Sequence, residues 1–131
     1  MYEIVAGIGT NEERAIEQAD LLVGLATSGL TTSVTLLHVF EDNPEGASAH
    51  QLESVKAARD RLADHGIEVD VRESSGDPAQ NIVEFARERD GDAICVAGRK
   101  RTPSGKVLFG SVTQSVLLES DQPVFVPGIG K

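Results

Sequence analysis

The chain holds a single cysteine, Cys95, so no internal disulfide can form. It lies in an apolar run, where a thiol is ordinarily an inert core group. No apolar stretch approaches the ~20 residues that cross a bilayer. Met1-Tyr2-Glu3-Ile4 has no basic region ahead of an apolar one, so a secretory signal is not expected and the cytoplasm is the expected location. Cations are scarce: 12 Lys and Arg face 21 Asp and Glu, a formal net charge of −9. Nucleic acid and anionic membranes repel such a chain outside any local basic patch, so neither is expected as a partner. Lysine is rarer than arginine, a balance that suits a high-salt cytoplasm. Repeats, low-complexity tracts and linkers are absent too. What is there, 131 residues with 40% hydrophobic and 25% charged side chains, fits one domain over 1–131 with a sizeable core.

Strand and helix signals alternate. Ile4 to Ile8 is a short apolar run closed by Gly9. Thr10, with Glu13 at capping-box spacing, predicts a helix start, and Gly29 its end. Val34 to Phe40 is apolar at nearly every position, as a strand covered on both faces should be. A polar loop with Pro44 and Gly46 follows, then a helix over about 48–65. Ile67 to Arg72 alternates apolar and charged residues, which predicts an edge strand with one wet face. Asp77 and Pro78 form a strong N-cap and first-turn pair. Asp92 to Ala97 is a fourth strand, Ser111 with Gln114 a further capping box, and Pro123 to Pro127 a last short strand at an edge. The β-α-β-α-β-α-β-α-β order predicts an α/β fold: a three-layer α/β/α sandwich around an open parallel five-stranded sheet with right-handed crossovers.

In such sheets ligands bind beyond the carboxyl ends of the strands where the strand order reverses. If strands 1 and 4 are neighbours, Ile8-Gly9-Thr10 and the loop from Gly98 line that crevice. The loop carries Arg99, Lys100, Arg101 and Lys106, with glycines at 98, 105 and 110, and feeds a helix start. Positive charge, bare backbone and free N–H groups at a helix N-terminus together suit a polyphosphate. The hydroxyls of Ser111 and Thr113 are further expected donors. A solvated connection balancing an acidic surface is the plainer alternative. The loop is not a Walker A motif, since Gly105-Lys106 is followed by Val107, and Gly7-Ile8-Gly9 lacks the third glycine of a dinucleotide fingerprint.

Taken in order, Leu37-His38-Val39, Gly76-Asp77-Pro78, Asp92 to Gly98, Gly110-Ser111-Val112 and Pro123-Val124-Phe125-Val126 resemble the universal stress protein family along essentially the whole chain. The resemblance implies strand order 3-2-1-4-5, related to the adenine nucleotide alpha hydrolase-like folds, and an ATP or other adenine nucleotide as ligand. Nucleotide-binding members carry a glycine, two residues, a glycine, nine residues, then Gly-Ser or Gly-Thr. Gly98, Gly110 and Ser111 match; Arg101 stands at the second glycine, and the spacing is one residue short. The acidic residue that members carry after strand 1 is replaced by Gly7 or Gly9. By resemblance, backbone at Ile8 and Val39 would flank the base, Gly98 and Arg99 the ribose and phosphates, and Gly110, Ser111, Val112 and Thr113 the phosphates. The family also implies a homodimer through the final strand, at Val124, Phe125 and Val126.

No catalytic set can be assigned. His38 ends a strand near the crevice, and His50 and His65 lie near helix ends. Strand 4 ends in Ala97-Gly98 without a magnesium-holding carboxylate. The expected function is a stress-response sensor that binds an adenine nucleotide. A dimeric interaction module without nucleotide and a slow ATP hydrolase are the alternatives.

Overall fold

A computed structural model of the chain describes residues 1–30, 32–41, 48–101, 103–105 and 107–128, with backbone alone at 99–101 and 107. The loop expected around Pro44 and Gly46, and Lys106, lie outside the described residues. Helices α1 (Glu12–Thr27), α2 (Glu53–Asp64), α3 (Pro78–Glu88) and α4 (Ser111–Glu119) surround a parallel sheet. Its strands are β1 (Tyr2–Gly7), β2 (Thr32–Phe40), β3 (Glu68–Ser75), β4 (Ala93–Cys95) and β7 (Val124–Phe125). They stand in the order β3-β2-β1-β4-β7, which is the expected 3-2-1-4-5 once two short strands outside this sheet are set aside.

Those two, β5 (Arg99–Arg101) and β6 (Val107–Phe109), form an antiparallel pair where a plain loop was expected. Arg99 pairs with Phe109 and Arg101 with Val107, so the segment satisfies its own backbone groups. Gly105 takes the left-handed conformation the turn requires, at φ 86°.

Successive strand residues face opposite layers, which explains the unbroken apolar runs. Ile4, Ala6, Val34 and Leu36 pack under α1 and α2 with Ala15, Leu22, Val55 and Leu62. Val5, Leu37, Ile94 and Val96 pack under α3 and α4 with Ile82, Val83 and Val116. β3 alternates half-buried Val69 and Val71 with exposed charged residues, as an edge strand should.

Three helix starts differ from expectation. Asn11, not Thr10, caps α1, because its side-chain Oδ1 accepts from the Arg14 N–H at 2.9 Å and its position matches the helix entry. Gly110, not Ser111, is the N-cap of α4: β6 carries extended backbone up to Phe109, so Ser111 is already the first helical residue. Gln114 then donates to Phe109 O at 3.1 Å instead of completing a capping box. The helix expected over 48–65 is interrupted at extended Leu52, which separates a 3-10 turn (Ala49–Gln51) from α2. The buried Ala49 is held there by Glu73, whose carboxylate accepts its N–H at 3.1 Å. The Asp77–Pro78 start of α3 is as expected, with the Asp77 carboxylate accepting from Gln80 N at 2.9 Å.

Candidate functional site

β1 and β4 lie side by side, yet β1 leads to α1 in one layer and β4 leads on to α4 in the other. The chain ends of the two strands therefore part, and a cavity of about 560 Å³ opens between them. Where strands separate, their last carbonyls lose sheet partners. Side chains supply the replacements. Gln18 Nε2 donates to Gly7 O at 3.0 Å and reaches Cys95 O at 3.5 Å, tying β1 to β4. Ser54 Oγ donates to Gly9 O at 2.7 Å, and Thr113 Oγ1 to Ala97 O at 3.1 Å. His38 Nδ1 lies 2.7 Å from Ile8 O. A carbonyl only accepts, so Nδ1 carries a proton and donates it.

These ties fix a rigid floor. Val39, Ile82, Val96 and Val112 give the cavity apolar walls, while Thr10, Asn11, Arg14 and Glu41 give it polar margins. At one end stands the first turn of α4. Gly110 has no side chain to cap it, and no side-chain hydrogen bond is made there. The first N–H groups of α4 are thus open to a ligand or water, at the positive end of the helix dipole.

Two glycines hold the space. A Cβ on Gly98 would come within 3.0 Å of Pro127 O, a backbone atom that cannot swing aside. A Cβ on Gly7 would run into the Ile82 side chain, which lines the cavity. Cys95 lies beneath, fully buried, and burial pushes its thiol up to about 12 from an ordinary 9.0, against a weaker opposing effect of the Gln18 hydrogen bond. It is not a nucleophile at neutral pH.

Of the residues singled out from sequence, Ile8, Gly9, Thr10, Val39, Gly98, Gly110, Val112 and Thr113 line one cavity. Ser111 faces an adjoining pocket of about 320 Å³ with Asp77 and Ser115 instead. Thr113 spends its hydroxyl hydrogen on Ala97 O, so it serves as a strut where a phosphate donor was expected. The backbone of Arg99, Lys100 and Arg101 continues from Gly98 as β5, and Gly105 stands at the far turn of that hairpin.

Sequence reasoning missed Arg14, Gln18 and Glu41. Two of them had a signal. Arg14 is a cation in the first turn of a helix, where the dipole disfavours it. Gln18 is an amide on the otherwise apolar face formed with Ala15, Ala19 and Leu22, and is 1% exposed. No group of three or more His, Cys, Asp or Glu among the described residues could hold a metal ion. None of their helices is long and apolar enough to cross a membrane. The arrangement can hold an anion at α4 and a flat apolar group against the strand ends.

Comparison with known proteins agrees with this architecture. The model of the universal stress protein family matches residues 1–126. A universal stress protein of Methanocaldococcus jannaschii is 31% identical over 122 residues, 88% of this chain and 70% of that protein. The stress response protein NhaX of Bacillus subtilis is 31% identical over 88 residues, 67% of this chain; the match spans only 49% of NhaX. Among solved structures, a universal stress protein from Archaeoglobus fulgidus superposes with TM-score 0.77 at 26% identity, covering 97% of this chain and 98% of that one. One from the same organism in complex with dAMP has TM-score 0.73 at 22% identity, covering 97% and 98%. A universal stress protein family protein from Arabidopsis thaliana with AMP bound has TM-score 0.67 at 16% identity, covering 99% and 93%. With its sheet order, its crevice and a family match from residue 1 to 126, the chain belongs to the universal stress protein family.

Proposed function

We propose that this protein is a cytoplasmic sensor that binds an adenine nucleotide in the crevice between β1 and β4. The observation that carries this is the uncapped start of α4 at Gly110, opening on a cavity of about 560 Å³ with apolar walls. The base lies against Val39 and Ile8, and the phosphates meet the N–H groups that follow Gly110. That fold neighbours are described with dAMP and AMP supports the same ligand class. Binding shifts the population of conformers or partners by its preference for the ordered state.

Gly110 provides a clean test. A Cβ there meets nothing within 4 Å, and aspartate is a favourable N-cap. Gly110→Asp therefore keeps or raises stability while setting a carboxylate where phosphate would sit. Mass spectrometry of the nucleotide released on denaturation should find an adenine nucleotide with the wild type and none with the variant. An empty wild type that also shows no thermal shift in millimolar ATP would favour the alternative, an interaction module without nucleotide.

We further propose that β7 joins two copies. β7 is an edge of the sheet. Pro123 O and Phe125 O accept from Ile94 N and Val96 N, so the backbone groups of Val124 between them face outward. An open apolar edge of this kind is covered by a second copy about a two-fold axis. Leu117 and Leu118 are exposed on the preceding helix as well.

A further inference from the structure

The chain has 21 acidic residues and few cations, and nearly every described cation is engaged. Lys56, Arg59, Arg61, Arg72 and Arg87 pair with carboxylates, and Arg89 lies over the Phe85 ring at 5.2 Å. Among the lysine and arginine side chains that are described, Arg14 alone has neither a carboxylate nor a ring. It is half-buried and lines the crevice. Its backbone is anchored, because the Asn11 side chain accepts from its N–H at 2.9 Å, so the guanidinium extends from a fixed point. The first turn of a helix disfavours a cation, so the helix itself does not account for Arg14 at this position.

Arg14 belongs to the α1 layer, whereas the open N–H groups of α4 belong to the opposite layer. The crevice thus has two anion-attracting margins with apolar walls between them, and Glu41 is the one carboxylate among its described lining residues. A guanidinium offers five donors and no acceptor, so it cannot accept from a ribose hydroxyl as a carboxylate would. Its fork matches a phosphate. In doubly wound sheets an arginine beside the ribose accommodates a phosphate on a ribose hydroxyl where an acidic residue reads the free hydroxyl.

Resting on the nucleotide-binding reading of the crevice, we propose that Arg14 is a specificity-determining residue that selects adenine nucleotides bearing a second phosphate on the ribose 2′ or 3′ oxygen. The 5′-phosphate sits at α4 and the ribose phosphate on Arg14.

The test is a calorimetric titration of wild type, Arg14→Gln and Arg14→Lys with adenosine 3′,5′-bisphosphate, adenosine 2′,5′-bisphosphate and 5′-AMP, with melting temperatures to confirm folding. Wild type should bind one bisphosphate at least about tenfold more tightly than AMP, the scale of one charge-assisted contact. Arg14→Gln should reduce that ratio to within about twofold while AMP affinity changes by less than about threefold; Arg14→Lys should retain part of it. Equal wild-type affinities, or an equal loss for all three ligands in Arg14→Gln, would overturn the selectivity and leave nucleotide binding standing. Failure of the wild type to bind any of the three would overturn both.

Discussion

At the scale of single residues, the crevice depends on side chains that finish what the sheet leaves undone. Gln18, His38, Ser54 and Thr113 each meet a strand-end carbonyl, and none of them needs to touch a ligand to set the shape of the site. Their role could not be seen in the sequence because it depends on where two distant strands part. Gln18 lies 77 positions from the Cys95 carbonyl it reaches. Cys95 gives this scale a measurable consequence. Its folded pKa is raised to about 12 while an unfolded thiol ionises near 9.0. Below pH 9 both states keep the proton and stability is unaffected. Above it the unfolded state loses the proton first, so stability falls by up to about 1.4 kcal/mol per pH unit until the folded thiol ionises as well. Urea unfolding at pH 8 and pH 10.5 should show a larger drop for the wild type than for Cys95→Ala. Equal drops would mean that the thiol is not held protonated.

At the scale of elements, helix starts decide how the site is presented. α3 is capped by the Asp77 carboxylate, α4 by backbone alone. Asp77→Ala should cost about 0.5–2 kcal/mol of unfolding free energy. Ser111→Ala should stay within about 0.5 kcal/mol, since Ser111 is not the cap. A loss at Ser111 as large as at Asp77 would restore the capping box that the sequence suggested. Strong local signals were legible in advance: the Asp77–Pro78 start, the buried β2 run and the wet face of β3 each follow from nearest neighbours and periodicity. The α1 and α4 starts were each displaced by one residue, because Thr10 and Asn11, or Gly110 and Ser111, are adjacent acceptable caps and the incoming backbone chooses between them. The hairpin of β5 and β6 was hidden by its charges and glycines, which resemble those of a loop. The unpaired Arg14 in α1 was overlooked beside that concentration of charge.

For the molecule as a whole, two surfaces divide the work: a crevice at the carboxyl ends of β1 and β4, and an open edge at β7. Sedimentation at micromolar concentration should give a dimer for the wild type and a monomer for Val126→Lys, which puts a charge just past β7, with melting temperatures to confirm folding because Val126 also packs against the core. A wild type that stays monomeric would contradict pairing through β7. The most direct test of nucleotide binding is calorimetric titration of ATP into the wild type and Gly110→Asp, with both melting temperatures recorded. The account predicts saturable binding to the wild type, at least about tenfold weaker binding to the variant, and a variant that melts no lower than the wild type. Equal affinity for ATP in two equally stable proteins would contradict it, because the phosphates would then lie away from the start of α4.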